Sequence, residues 1–130
     1  MTPEPSTVVL DAGALIAVER GLPTMRALIL EAQRSQRVLT VPGPVVGQAW
    51  RGGARQTLLA RFLALPLVEV DLLTRKLWQA AGVLCGRTGT SDVVDAAVIL
   101  CARERGARVI VTTDPSDLRR LDESIALRTP

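Results

Sequence analysis

The amino-acid sequence predicts an α/β fold in which a mostly parallel central sheet is flanked by helices on both faces. Short runs rich in β-branched residues alternate with longer stretches of helical periodicity, and glycine or proline separates most segments. The runs are continuously apolar, which is typical of parallel strands buried on both faces. Because no repeat, low-complexity segment or linker interrupts this pattern, we expect residues 1–130 to form a single domain.

Strands and helices are predicted in alternation along the chain. The first strand, residues 8–10, ends at Asp11, and the helix that follows, residues 12–20, is stopped by Gly21. Pro23 is expected to open a second helix that runs to residue 36. The further elements are a strand at 37–41, helices at 44–51 and 54–65, a strand at 67–70, helices at 72–87 and 91–105, a strand at 108–112, a short helix at 114–122 and an edge strand at 124–128.

The composition excludes several classes of enzyme. The chain has no histidine and two cysteines. It therefore lacks the Ser-His-Asp and Cys-His catalytic arrangements, and it cannot build a four-ligand zinc site or a disulfide framework. Cys85 and Cys101 lie among Leu, Val and Ala and are interpreted as small core residues. Chemistry must come from carboxylates, hydroxyls, arginine or a metal ion held by oxygen.

The charge balance has two explanations. The net charge is +3, and Lys76 is the one lysine among 16 basic residues. An arginine excess suits bidentate contacts with phosphate in a polyanionic partner, but it also follows from GC-rich coding. The aromatic content of 2% argues against binding a single strand by base stacking. We interpret Trp50 and Trp78 as packing residues.

The N-terminal residues 1–5 lack the basic and apolar segments of a signal peptide. No apolar run approaches the roughly 20 residues that cross a bilayer. Together with two cysteines that give no sign of pairing, this predicts a cytoplasmic protein without a membrane segment.

Acidic residues follow two of the predicted strands and begin the most apolar helix. Asp11 ends the first strand, Asp114 follows the fourth, and Asp92 and Asp95 lie three residues apart. If the first and fourth strands are neighbours, these carboxylates converge beyond the carboxyl ends of the strands, where parallel sheets bind ligands. Two carboxylates about 5 Å apart repel by roughly 3 kcal/mol at an effective dielectric near 20. Such a cluster requires a cation or raised pKa values, and oxygen ligands select Mg²⁺ or Mn²⁺.

Helix capping is the competing explanation for some of these acids. Asp92, Asp114 and Asp117 stand at positions where acids cap or begin helices. Asp11 and Asp95 are flanked by apolar residues, where an acid without a partner costs stability, so a functional role is favoured for both. Thr112 fits either a ligand-positioning role or a strand end, and Glu19 fits a solvated helix end.

Four segments together resemble the PIN-domain ribonucleases, in particular the VapC-like toxins of bacterial toxin–antitoxin pairs. Their order and spacing agree over nearly the whole chain. The segments are VVLDAGALIA (8–17), VPGPVVGQAWR (41–51), TSDVVDA (90–96) and VIVTTDPSDL (109–118).

The resemblance implies a Mg²⁺- or Mn²⁺-dependent endoribonuclease that forms a homodimer and is neutralised by a small antitoxin covering its cleft. It places Asp11, Asp95 and Asp114 in the catalytic and metal site, where metal-activated water would cut RNA, with Asp92 and Asp117 as further candidate ligands. The arginines expected near RNA phosphates are Arg20, Arg51, Arg55 and Arg87.

One position departs from the family pattern. The family places a glutamate where this chain has Gln48, whose carbonyl can still ligate Mg²⁺ but carries no charge and cannot act as a base. Metal affinity and rate should both fall as a result. Two functions therefore stay open: an active metal-dependent endoribonuclease whose rate Gln48 impairs, and a non-catalytic PIN-like domain that binds an antitoxin or RNA.

Overall fold

A computed structural model describes residues 7–130; the N-terminal segment without signal-peptide features lies outside the described residues. Five parallel strands form one sheet in the order β3-β2-β1-β4-β5. The α/β class with a parallel sheet is confirmed. The strands are β1 (Val8–Leu10), β2 (Leu39–Pro42), β3 (Val68–Asp71), β4 (Val109–Val111) and β5 (Leu127–Arg128).

Seven α-helices cover the two faces of the sheet in the described part of the chain. α1 contacts α2, α3 and α4, whereas α6 contacts α5 and α7 and crosses β1, β2 and β4. None of these helices is long and apolar enough to cross a membrane. The helices are α1 (Ala12–Glu19), α2 (Pro23–Ser35), α3 (Gly43–Ala49), α4 (Thr57–Leu63), α5 (Arg75–Thr88), α6 (Val93–Glu104) and α7 (Pro115–Leu121).

The core lies on both sides of β1 and β4. Val9 and Leu10 in β1 and Ile110 in β4 are fully buried, as the continuous apolar runs predict. Leu15 reaches this core from α1 and Ile99 from α6, and both are also fully buried. The central position of β1 therefore places its carboxyl end, where Asp11 follows, between two covered faces of the sheet.

Several element boundaries differ from the predicted ones. The helix expected at residue 72 begins at Arg75, because Leu73 adopts a left-handed backbone with φ of 62° and Thr74 caps the helix through a 3.1 Å bond from the Leu77 N–H. The helix expected at residue 91 begins at Val93, after Asp92. The helix expected from residue 54 opens as a 3₁₀ turn, Ala54–Gln56, before α4. In each case a turn or cap replaces the first predicted helical residues.

A buried glutamine organises the loop after α3. Gln56 is 3% exposed, and its Oε1 accepts hydrogen bonds from the backbone N–H groups of Arg51 at 2.7 Å and Gly52 at 2.8 Å. Its Nε2 donates to the Ala49 carbonyl at 2.8 Å. The interpretation of Trp50 as a packing residue is only partly right, because 41% of this residue stays exposed beside that loop.

Ionic contacts tie α6 to the edge strand β3. Arg105 Nε donates to Asp71 Oδ2 at 2.8 Å, and its Nη2 donates to Glu69 Oε1 at 3.0 Å. The Cys101 thiol also donates to Asp71 Oδ2, at 3.4 Å. Burial, followed by the charge of Asp71, raises the pKa of Cys101 to about 12. The thiol stays protonated at neutral pH, which agrees with its interpretation as a core residue.

Candidate active site

The pairing of β1 with β4 brings two predicted site residues to the same edge of the sheet. Leu10 is in register with Val111, and the Asp11 N–H donates to the Val111 carbonyl at 3.2 Å. Asp11 follows β1 directly, and Asp114 lies three residues beyond the end of β4. The first and fourth strands are therefore neighbours, and this was the condition for the predicted convergence of these acids.

Asp11 is partly buried at the start of α1. Its Oδ1 accepts a 3.0 Å hydrogen bond from the Ala14 N–H, so the residue caps the helix. Burial is the largest influence on its carboxyl group and raises the pKa; Asp114 adds to this rise through its charge. Thr112 and the backbone of Ala14 and Gly13 act in the opposite direction. The net shift of the Asp11 pKa is upward, because burial disfavours the ionised carboxylate more than these hydrogen bonds stabilise it.

Thr112 connects Asp11 with Asp114. Its side chain is fully buried, its Oγ1 accepts a 3.0 Å hydrogen bond from the Asp114 N–H, and its hydroxyl stabilises the ionised form of Asp11. The bond to the Asp114 N–H is a local contact that either interpretation allows, whereas the contact with Asp11 joins the two segments of the candidate site.

Asp114 precedes α7 without capping it through its side chain. Instead, Ser116 Oγ donates to Asp114 Oδ1 at 2.9 Å. Sequence reasoning did not single out Ser116, although a serine two residues after an aspartate is a known local hydrogen-bonding pattern. Because the carboxylate is exposed and one oxygen is held, the other oxygen is available to a ligand.

Asp92 and Asp95 occupy the first turn of α6. Asp92 caps the helix through a 3.0 Å bond from the Asp95 N–H to its Oδ1. Burial, then Asp92, and after it the charges of Asp11 and Asp117 raise the pKa of Asp95 to about 7. Asp95 therefore feels the charge of the acid that caps its own helix and of acids from two other segments of the chain. Asp92 caps the helix and also belongs to this charge cluster, whereas Asp117 contributes only its charge.

The chemistry of these donors fits a small divalent cation. Carboxylate oxygens are the ligands that Mg²⁺ and Mn²⁺ prefer, and a cation would offset the repulsion that raises the pKa values of Asp11 and Asp95. Within residues 7–130, however, no three acidic or thiol side chains form a ready-made metal site. Mg²⁺ commonly binds through one or two carboxylates and keeps several waters, so this arrangement is compatible with a hydrated ion.

The other predicted site residues lie apart from these contacts. Gln48 is exposed on α3, and in the described part of the chain its side chain is not among the groups that influence Asp11 or Asp95. Glu19 is the last residue of α1 and is partly buried. The four arginines expected near RNA are all exposed: Arg20, Arg51, Arg55 and Arg87. Arg51 folds back so that its Nη1 donates to the Trp50 carbonyl at 2.7 Å.

An apolar groove, which sequence reasoning missed, lies between α2 and α4 beside the end of α1. Its volume is about 310 Å³, and Leu58 in its wall is 46% exposed. The sequence predicted both helices but not the gap between them. The groove is bordered by Met25, Ile29, Leu58 and Phe62, with Arg26 and Arg61 at its margin.

The sequence matches the PIN domain family over residues 8–124. Since this match covers most of the chain, the protein belongs to the PIN domain family, as the four segments predicted. Among curated proteins, none matches the sequence.

Solved structures share the fold at low sequence identity. VapC20 of Mycobacterium tuberculosis, a sarcin–ricin-loop-cleaving toxin, is similar with a TM-score of 0.71 and 17% identity, over 95% of this chain and 99% of that chain. VapBC2 of Rickettsia felis, bound to a DNA fragment from its promoter, gives 0.69 and 15%, over 95% and 98%. FitAcB of Neisseria gonorrhoeae gives 0.56 and 14%, over 92% and 95%.

Proposed function

We propose that this protein is a divalent-metal-dependent endoribonuclease and the toxin of a toxin–antitoxin pair. The observation that carries the proposal is the charge coupling of Asp95 with Asp11, Asp92 and Asp117, together with that of Asp11 with Asp114. Membership of the PIN family and the likeness to VapC20, an RNA-cleaving toxin, support the same activity. No other cluster of carboxylates in residues 7–130 has its pKa values raised in this way.

The residues of the cluster would have different roles in the site. Asp11, Asp95 and Asp114 would hold Mg²⁺ or Mn²⁺, with Asp92, Asp117 and Gln48 as further candidate oxygen donors. Such an ion supplies activation of water and stabilisation of phosphate oxyanions when bound. Thr112 would keep Asp11 ionised and Asp114 in place through the contacts of its hydroxyl. Arg20, Arg51, Arg55 and Arg87 would contact RNA phosphates, which predicts binding that weakens steeply with salt.

Asparagine at position 11 is expected to lower RNA cleavage by at least about 100-fold, because Asp11 is the acid that is hydrogen-bonded to Thr112 and feels the charge of Asp114. The measurement is cleavage of labelled RNA with Mg²⁺ or Mn²⁺ by wild type and Asp11→Asn. Glu123→Gln, the same change of acid to amide at an exposed residue after α7, is the matched control and should cleave at the wild-type rate. Cleavage unaffected by Asp11→Asn would exclude this site.

The non-catalytic alternative depends on Gln48, which is neutral and exposed on α3. Gln48→Glu separates the two functions in the same assay. If the protein is an active enzyme, the wild-type chain is expected to cleave RNA, and Gln48→Glu is expected to cleave it faster because of the added carboxylate. If cleavage is seen only after Gln48→Glu, the wild-type chain is a binding protein with a degenerate site.

We propose that the groove between α2 and α4 binds an apolar segment of the antitoxin. The exposed Leu58 provides apolar surface, and the positive charges of Arg26 and Arg61 suit acidic residues on either side of that segment. The solved VapBC2 and FitAcB assemblies make such a partner a reasonable expectation for this fold.

Leu58→Asp is expected to weaken antitoxin binding by about 100-fold, since it places a charge in the apolar centre of the contact. The test is co-purification and titration with the product of a small open reading frame beside this gene. Leu72→Asp is the control, because Leu72 is 82% exposed in the loop after β3, away from the groove. Equal binding by both variants and wild type would place the antitoxin elsewhere.

A further inference from the structure

A glycine in the first turn of α1 lies against the loop that carries Asp114. Gly13 is the second residue of α1, and its backbone is among the groups that stabilise the ionised Asp11 carboxylate. A Cβ atom placed on Gly13 would overlap Thr113 Oγ1 and would lie only 2.9 Å from Thr113 Cβ. Thr113 Cβ is fixed to the backbone, so rotation of the side chain cannot relieve this contact. A larger residue at position 13 would therefore push the loop away.

Backbone conformation does not explain why residue 13 is a glycine. Five other glycines have a positive φ, from Gly106 at 62° to Gly53 at 94°, whereas Gly13 is helical and is not one of them. Glycine is among the poorest helix formers, and the alanines on either side, Ala12 and Ala14, are the best. The close approach of Thr113 is therefore the remaining explanation for a glycine at position 13.

This approach brings together the two segments that hold the candidate site. Thr113 lies between Thr112, whose Oγ1 accepts from the Asp114 N–H, and Asp114 itself. Gly13 lies two residues from Asp11 on the other segment. Because Gly13 has no side chain, the loop after β4 can lie this close to the start of α1.

We infer that Gly13 and Thr113 form a positioning pair that sets the separation of Asp11 from Asp114 and thereby the affinity of the site for a divalent cation. This inference rests on the proposed function and adds to it two residues that are not among the proposed metal ligands or RNA contacts. The two side chains are complementary: the bulk of Thr113 is accommodated because position 13 has none. Removing the side chain of Thr113 should therefore make room for an alanine at position 13.

The test is a double-mutant cycle of Gly13→Ala and Thr113→Gly, measured by Mn²⁺ titration calorimetry, RNA cleavage and thermal unfolding. Gly13→Ala is expected to weaken Mn²⁺ binding by about tenfold or more, the usual effect of displacing groups that orient metal ligands. The double variant should return to within about threefold of Thr113→Gly, because the steric conflict is gone. A merely structural role would change the melting temperature and leave Mn²⁺ affinity unchanged, and that result would overturn the inference.

Two further outcomes are decisive. If Gly13→Ala does not fold, the comparison of the double variant with Thr113→Gly remains, and a tenfold loss of Mn²⁺ affinity on adding alanine to that background contradicts the pairing. If wild type binds no more Mn²⁺ than Asp11→Asn, the proposed metal site fails and this inference fails with it. Wild-type binding that depends on Asp11 but ignores Gly13→Ala rejects the positioning pair alone.

Discussion

Asp95→Asn is expected to abolish RNA cleavage and, in the metal-free protein near neutral pH, to make the fold more stable. Burial and the charges of Asp92, Asp11 and Asp117 raise the pKa of Asp95 to about 7, so its ionised form is disfavoured in the folded chain. An amide of the same shape removes that repulsion. Because the group is only half-buried, solvent screening limits the gain to about 1 kcal/mol, or about 4 °C in melting temperature.

The pH dependence of this gain has a definite sign. The ordinary pKa of an aspartate in an unfolded chain is about 3.9, and folding raises that of Asp95. The folded state therefore holds the proton more tightly, and the destabilisation grows from nothing below about pH 4 to its full value above about pH 7. Thermal unfolding of wild type and Asp95→Asn should give melting temperatures that converge at acid pH and separate as the pH rises.

Asp122→Asn is the control of opposite sign. The Ser124 hydroxyl, and then the Arg103 guanidinium, lower the pKa of Asp122 despite partial burial. This carboxylate stabilises the fold above its unfolded pKa of about 3.9, and the contribution is lost as the pH falls through the lower folded value. Asp122→Asn should therefore melt below wild type at neutral pH. If both variants shift in the same direction, the charge cluster does not destabilise the metal-free fold.

Addition of Mn²⁺ should change the melting temperatures of wild type and Asp95→Asn by different amounts. A cation that binds the carboxylates of the folded chain raises the melting temperature of wild type by mass action. The rise should be much smaller in Asp95→Asn, which has lost one of the charged donors. Equal rises in wild type and variant would mean that the ion binds elsewhere.

Gln56→Leu is expected to cause the largest loss of stability among the variants discussed. The change leaves two backbone N–H groups, of Arg51 and Gly52, and the Ala49 carbonyl without their partner in a buried setting. Orphaned buried polar groups cost about 1–3 kcal/mol each, and partial access of water to the exposed loop reduces the sum to about 3 kcal/mol. The melting temperature should fall by about 10 °C.

Gln48→Leu is the matched control, since it makes the same change eight residues earlier on the exposed surface of α3. Its effect on the free energy of unfolding should stay within about 0.5 kcal/mol. Denaturant unfolding of both variants provides the comparison. Similar losses in the two would show that the hydrogen bonds of Gln56 do not stabilise the loop.

Secondary structure was predictable where the pattern is local. The runs at β1, β2 and β4 are apolar enough to be recognised as buried strands, and their observed bounds lie within two residues of the predicted ones. The start of α5 was placed three residues too early, because Leu73 adopts a left-handed conformation that favours glycine and that its side chain does not predict. The groove could not be predicted from the sequence either, since it depends on the distance between α2 and α4.

The candidate site, like the secondary structure, was predictable only where its pattern is local. Asp11 and Asp95 are acids among apolar residues, and that contrast is visible along the chain. The contact of Thr112 with Asp11 and the close approach of Gly13 to Thr113 join segments about a hundred residues apart in sequence. The hydrophobic periodicity of the sequence does not predict such contacts.

The sequence by itself determined the α/β class, the positions of the helices and strands, and the absence of histidine, which restricts any chemistry to oxygen ligands and arginine. Hydrophobic periodicity and residue inventory are properties of the chain that need no knowledge of its folding. Only the tertiary structure decided that β1 lies between β2 and β4, and that the charges of Asp11 and Asp117 reach Asp95. Burial and Coulomb interactions depend on distance through space, and the packing of α6 against β1 and α7 is what makes those distances short.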